Sequence, residues 1–431
     1  GGDGEPFEFA VRMAQFPLDA LLDRQLAQSG LNAGHVDALA AAVAAFHAGI
    51  PSATVASGHG SPAAVRAPAE DNFAALRTRA APDSLPYLAA LEAWSRAEYQ
   101  RLDNLIARRQ ANGFVRECHG DLHLGNMALL EDGPAVFDCI EFNPELRWID
   151  IINDLAFLVM DLAERGRPDF AWRLLNDWLE ILGDYEGLGL LRFYQVYRAL
   201  VRAKVAGFRA TDPAALPADR EAAATSMAAY LAFAQRIASP GRQAIIVTHG
   251  FSGSGKTTLA RGLAEHLGAI RLRSDVERKR LGKLPPLAAS GSGIGDGLYA
   301  DGMTAATYRR LADLAGQVST AGYPVIVDAA CLKGWQRDMF RSLARERGIP
   351  FVILDCHSTI ETLEERVATR SRRGHDASEA TPAVLSRQIQ EADPLSIEEL
   401  RATIAVATDG QDTDYATLIR LLADRGIPAT A

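Results

Sequence analysis

The stretch Ala244-Ile-Ile-Val-Thr-His-Gly250-Phe-Ser-Gly-Ser-Gly255-Lys256-Thr257-Thr258-Leu-Ala constrains this chain more than any other. A short apolar, β-branched run enters a glycine-rich turn, and the turn opens into a helix-forming sequence. Gly250, Gly255, Lys256 and Thr257 fit G-x-x-x-x-G-K-[ST], the pattern of a phosphate-binding loop. Glycines admit backbone angles closed to other residues, so the N–H groups around Ser252, Gly253 and Ser254 can turn inward on one anion. The following helix points its positive end at the same anion and adds Thr258 to the set. Lys256 is placed to bridge the β- and γ-phosphates of ATP or GTP, and the Thr257 hydroxyl to hold Mg²⁺. The strand before, the helix after and the lysine between them set the stretch apart from an ordinary Gly/Ser turn.

A chain of 431 residues has room for two to three domains, and its 48% hydrophobic content is enough to bury their cores. The net charge of −9 leaves no global basic footprint, so nucleic acid is not a favoured partner, although a local basic groove is compatible with it. Cys118, Cys139, Cys331 and Cys356 are scattered without paired spacing, which predicts reduced, mostly buried thiols of a cytoplasmic protein. The opening Gly1-Gly-Asp-Gly-Glu-Pro lacks the order of a signal peptide, and no apolar run is long enough to cross a bilayer.

In the first half, Glu8 to Phe16 is predicted as a strand stopped by Pro17, followed by helices over Leu18–Leu26 and His35–His47. Residues 52–68 are rich in Ser, Gly, Pro and Ala and predict a loop. Helices are expected over Asp71–Thr78 and Ser84–Gln110, with Arg101, Arg108 and Arg109 on a solvated face. The pattern then changes at Phe114-Val-Arg-Glu-Cys-His119-Gly-Asp121-Leu-His123-Leu-Gly-Asn126, followed by a second apolar strand carrying Asp138. His-x-Asp-x-x-x-x-Asn followed by a strand-borne Asp is the layout of a kinase catalytic loop. In that layout Asp121 accepts the proton of a substrate hydroxyl, and Asn126 and Asp138 hold Mg²⁺. Each of the three alone could be a loop-capping residue. His119 and His123 could brace the loop or, with Asp138, form a zinc site. Leu190–Ala210 and Ala222–Ala238 read as helices, with Arg198 and Arg202 either lining a groove or snorkelling from a core face.

In the second half the phosphate-loop helix runs to Leu267 and stops at Gly268. A short strand then delivers Asp275, either a base for the phosphate-accepting hydroxyl or a helix cap. Arg278, one turn on, could grip an anionic substrate or belong to a solvated helix. Gly291 to Gly297 does not fit a dinucleotide fingerprint. Pro324-Val-Ile-Val-Asp328 is a buried strand ending in a carboxylate that could orient Mg²⁺ or merely cap the next turn. Arg366, Arg370 and Arg373 share one face of a lid-like helix, where they could neutralise charge on a transferring phosphoryl group or pair with Glu364 and Glu365.

The residues around Asp121, Asn126, Asp138, Trp148 and Asp154 resemble the aminoglycoside phosphotransferase (choline-kinase-like) superfamily over about residues 8–235. That resemblance implies a brace on the catalytic loop at Asp154. It also implies a small lobe bearing a phosphate-binding lysine, whereas no lysine precedes Lys204. The first half therefore reads as a kinase large lobe lacking most of its small lobe, handicapped as an ATP-dependent enzyme unless completed. Residues 243–431, ordered from Lys256 to the lid, resemble small P-loop kinases: gluconate and shikimate kinases, zeta toxins and polynucleotide kinases. The fold expected is α/β: a mostly helical lobe over 1–238, then a P-loop domain with a doubly wound parallel sheet over 239–431. The activity expected is ATP/Mg²⁺-dependent phosphorylation of a hydroxyl on a small molecule, sugar or nucleotide. A nucleotide-binding regulator or antitoxin-like module with a pseudokinase first half, or antibiotic phosphorylation at Asp121 by a completed first half, are the alternatives.

Overall fold

The computed structural model describes residues 15–286, 288, 290, 297–373, 377–410 and 413–427, and for Tyr299 and residues 371–373 the backbone alone. Most of the strand expected over Glu8–Phe16 and of the loop at Gly291–Gly297 lies outside these residues.

The first half is built on the helices Leu22–Ala27, Ala33–Gly49, Pro62–Arg77, Leu85–Ala111, Ile151–Glu164, Pro168–Leu182, Leu188–Ala210 and Pro217–Ala238. Among the described residues four short strands interrupt them: β1 (Val115–Glu117), β2 (Met127–Leu130), β3 (Gly133–Val136) and β4 (Trp148–Asp150). β1 pairs with β4 and β2 with β3, both antiparallel. The loop expected over 52–68 gives way to helix from Pro62 onward. Ser61 supplies the reason: its hydroxyl accepts the Ala64 N–H, and Pro62 occupies the first helical position, where a missing N–H costs nothing.

Arg109 is a second departure. It was expected in solvent, yet its side chain is fully buried between Asp150 and Asp184. Arg101 and Arg108, on the same helix, are exposed as expected.

The second half is a five-stranded parallel sheet of β5 (Ile245–His249), β6 (Ile270–Arg273), β7 (Val325–Asp328), β8 (Phe351–His357) and β9 (Thr403–Ala407), in the order β6-β7-β5-β8-β9. β5 sits at the centre, and its first four residues are buried, as a strand covered on both faces requires. The strands end on one side of the sheet, where the phosphate loop, Asp275 and Asp328 follow. That is the edge at which open parallel sheets bind ligands.

The halves are packed against each other. One apolar cluster runs from Leu174, Leu175 and Trp178 through to Ile245, Ile270 and Val325. Asn176 reaches across to the edge strand: its Nδ2 donates to the Ala269 carbonyl (3.0 Å), and its Oδ1 accepts the Arg271 N–H (2.7 Å). The helix Pro168–Leu182 thereby satisfies part of the open edge of β6, which would otherwise leave backbone groups unpaired.

Candidate active site

The phosphate loop takes the shape that its glycines permit. Gly250 has φ 141° and Gly253 φ 87°. A Cβ at Gly250 would stand 2.4 Å from the Cys356 carbonyl oxygen, and one at Gly253 would stand 2.7 Å from that of Leu363. Only glycine fits at either place. Gly255 closes the loop in the left-handed region, and the helix Lys256–Leu267 begins behind it. The Lys256 ammonium donates to the Phe251 carbonyl (2.6 Å) and lies 3.3 Å from Ser254 Oγ, so it is folded over its own loop. Burial draws its pKa down, against the pull of Cys356, Asp328 and Asp275.

Thr257 Oγ1 donates to Asp328 Oδ1 at 3.2 Å. Asp328 ends β7 almost fully buried, and burial raises its pKa although Arg271, Arg273 and Lys256 oppose the rise. Its other oxygen, Oδ2, is buried with no hydrogen-bond partner among the described residues. A hydroxyl beside an orphaned carboxylate oxygen is a donor set that suits a hard divalent cation such as Mg²⁺.

Asp275 sits in the first turn of the helix Ser274–Leu281, whose N-cap is Arg273, so it does not cap that helix. Burial pushes its carboxyl upward, but Arg278 and Arg273 outweigh burial and hold it below the ordinary range. Arg278 Nη1 donates to Asp275 Oδ1 at 2.8 Å. A carboxylate so held is charged at neutral pH, the state in which a carboxylate accepts a proton.

Arg366 donates to the carbonyls of Gly253 (3.3 Å) and Thr408 (2.8 Å), tying the helix Ile360–Arg373 to the loop. Arg370 differs. Its Nε and Nη2 are buried with no hydrogen-bond partner among the described residues, as a cation awaiting an anion would be. The side chain of Arg373 lies outside the described residues. Ser252, Gly253, Gly255, Lys256, Thr257, Thr258, Asp275, Arg278, Asp328, Arg366 and Arg370 line a single cavity of about 370 Å³. Gly250 and the buried Ser254 lie in the loop beneath.

Three further residues at this cavity went unremarked in the sequence. Gln388 Oε1 accepts the Ser252 N–H at 2.8 Å, bringing the helix Pro382–Glu391 onto the loop. Tyr308 and Arg273 also line the cavity. Arg273 had a local signal, since it ends the strand that delivers Asp275. Gln388 had none, because nothing near it in the chain marks it.

The first-half constellation is a separate place. Asn126 Nδ2 donates to Asp121 Oδ2 at 2.9 Å, and His123 Nε2 lies 3.4 Å from that same oxygen. Burial would raise the Asp121 carboxyl, but His123, Arg198 and Asn126 lower it overall. Asp138 is not borne on a strand. β3 stops at Val136, and Asp138 follows exposed, with φ 61°. Both ring nitrogens of His119 are engaged, Nδ1 with the Asp121 N–H (3.2 Å) and Nε2 with the Phe137 carbonyl (2.8 Å), so His119 braces the loop and has no lone pair for zinc. Asp154 is the deeper brace. It accepts the N–H groups of His119 (3.1 Å) and Gly120 (2.9 Å) and lies 3.2 Å from His47 Nε2. Arg198 is a core-face cation, bound to Asn153 and to the Gly120 carbonyl, both at 2.8 Å.

Comparison with known proteins gives a separate match in each half. Residues 18–194 match the sequence profile of the phosphotransferase enzyme family, and residues 245–395 match that of an AAA domain. The two matches lie side by side in the chain and do not overlap. Uncharacterized proteins of Mycobacterium bovis and Mycobacterium tuberculosis are each 32% identical to it over 285 residues, which is 66% of this chain and 56% of each relative. The chain thus spans a little over half the length of the curated relatives it matches. A gluconokinase from Sinorhizobium meliloti overlays with a TM-score of 0.28 at 25% identity, covering 42% of this chain and 88% of that one. The APS kinase of Mycobacterium tuberculosis, solved with AMPPNP and APS, overlays with a TM-score of 0.32 at 22% identity, covering 43% and 99%. Overlaps this slight decide nothing about what the present chain binds. Among the described residues no helix is long and apolar enough to cross a membrane.

Proposed function

We propose that the protein is an ATP-dependent phosphotransferase with a hydroxyl acceptor, and that its chemistry lies in the half containing Lys256, with the division between halves at 238/239. The observation that carries this is the convergence of Lys256, Thr257, Asp275, Asp328 and Arg370 on one cavity. The loop amides and Lys256 hold the nucleotide phosphates. Thr257 and Asp328 are the residues that would hold Mg²⁺, which when bound neutralises charge on the β- and γ-phosphates.

Asp275 takes the proton of the acceptor hydroxyl as that oxygen bonds to the γ-phosphorus and the bond to the ADP oxygen breaks. Arg370 supplies its two unmet donors to the transferring phosphoryl group. The acceptor is a small metabolite, sugar or nucleotide. GTP in place of ATP is compatible with the same contacts, and the free cysteines fit a reducing, cytoplasmic setting.

The test is turnover of ATP on a panel of hydroxyl compounds by the full chain and by Lys256→Met. The variant is expected to lose at least about 10²-fold, the scale set by removing one stabilising donor from a transition state. Equal turnover by the two proteins would refute the assignment. Tight nucleotide binding with no turnover on any acceptor would favour the regulator reading.

A further inference from the structure

A residue of the first half bonds an arginine that lines the P-loop cavity. Glu180 lies on the helix Pro168–Leu182, one turn beyond Asn176, on the face pressed against β6. Its carboxylate takes two arginines of that strand, Arg271 Nη2 on Oε2 at 2.9 Å and Arg273 Nη1 on Oε1 at 2.6 Å. Arg280 Nη2 binds the Glu180 backbone carbonyl at 2.6 Å and fixes the helix end in place.

The other side of Arg273 faces Asp328: its Nε stands 3.9 Å from Asp328 Oδ2. That is the oxygen with no hydrogen-bond partner among the described residues. The distance is about 1 Å too long for a charge-assisted hydrogen bond. One guanidinium thus lies between the buried Asp328 carboxylate and the half-buried carboxylate of Glu180, and it is bonded to the latter.

We propose that Glu180 is a positioning residue for the metal site. By holding Arg273 it keeps a competing cation off Asp328 Oδ2 and leaves that oxygen to Mg²⁺. This rests on the assignment of Thr257 and Asp328 to Mg²⁺ given above. Without the Glu180 charge, one restraint that draws Arg273 away from Asp328 is lost, and the guanidinium competes more strongly with Mg²⁺ for Oδ2. Linkage makes the coupling reciprocal, so Mg²⁺–nucleotide binding tightens the docking of the two halves.

The experiment is calorimetric titration of ATP into the full chain across a range of Mg²⁺ concentrations, and without Mg²⁺, for wild type, Glu180→Gln, Arg273→Met and the double variant. Glu180→Gln is expected to raise the Mg²⁺ concentration for half-maximal tightening about tenfold, a typical coupling factor, and to leave Mg²⁺-free ATP binding unchanged. In the Arg273→Met background the same change is expected to do nothing. An unchanged Mg²⁺ requirement in Glu180→Gln, or an equal shift in both backgrounds, would overturn the proposal, the second because Glu180 would then act through the fold and not through Arg273. If Glu180→Gln does not fold, Glu180→Asp keeps the charge on a shorter arm and is expected to give a smaller shift in the same direction, and no shift would again overturn it. Wild type that binds no ATP at all would defeat the P-loop reading itself, a different failure.

Discussion

Arg109 and Asp150 form a two-pronged ion pair deep in the first half, with Nε to Oδ2 at 2.7 Å and Nη2 to Oδ1 at 2.8 Å. The same guanidinium holds Asp184 through two further bonds of 2.7 Å each. The rest of its face lies over the Phe114 ring, 4.0 Å from the centroid. Arg109→Met would leave two carboxylates buried without their cation. The expected loss is about 3–5 kcal/mol of unfolding free energy, measured by urea denaturation. A loss under about 1 kcal/mol would mean that the pair is solvated in solution.

Asp275→Asn separates proton acceptance from nucleotide binding. The amide keeps the shape and loses the basicity, so turnover is expected to fall about 10²–10⁴-fold. The dissociation constant for ATP, measured by calorimetry, is expected to stay within about threefold, because the phosphates are held by the loop and Lys256. A full-rate variant would remove Asp275 from the chemistry.

Asp121→Asn asks which half reacts. Turnover by the full chain is expected to be unchanged within about twofold, since Asp121 lies with Asn126 and His123 and not at the Lys256 cavity. A drop of the size expected for Asp275→Asn would place the chemistry in the first half.

The contact between the halves carries a pH dependence. Asp177 is pushed up to about 6, mainly by burial, with Arg261 and Arg271 opposing and Asp37 adding to the rise. Its native pKa lies above its value in the unfolded chain, so the native state holds the proton more tightly. Between about pH 4 and 6 the unfolded state binds fewer protons, and the contribution of this group to stability is lost as pH rises through that window. Asp177→Asn mimics the protonated form. Its melting temperature relative to wild type is expected to improve from pH 5 to pH 8, by an amount equivalent to about 1.4 kcal/mol. A constant difference across that range would show that Asp177 does not titrate there.

Much of the fold was legible because its signals are local. The central strand announced itself by a continuous apolar run, the loop by glycine and lysine spacing, and the helix after it by Gly268, which closes it in the left-handed region. Helix starts were legible in principle too. Ser61-Pro62 is such a signal, hidden within a stretch whose Ser, Gly and Pro content suggested a loop.

Sequence alone determined that a phosphate loop, a following helix and strand-end carboxylates exist, because each depends on residues next to one another in the chain. It also showed a kinase-like Asp–Asn loop in the first half. Tertiary structure alone decided which charges meet. Arg109 looked solvated from its helix and is buried, because its partners come from segments far along the chain. Among the described residues, Asp328 acquires an oxygen without a hydrogen bond and Arg370 two unbonded nitrogens only when the second half folds, and Arg273 acquires a restraint from Glu180 only when the halves pack. A buried charge is stable only where the fold brings it a partner, and proximity across the fold cannot be read from the residues beside it in the sequence.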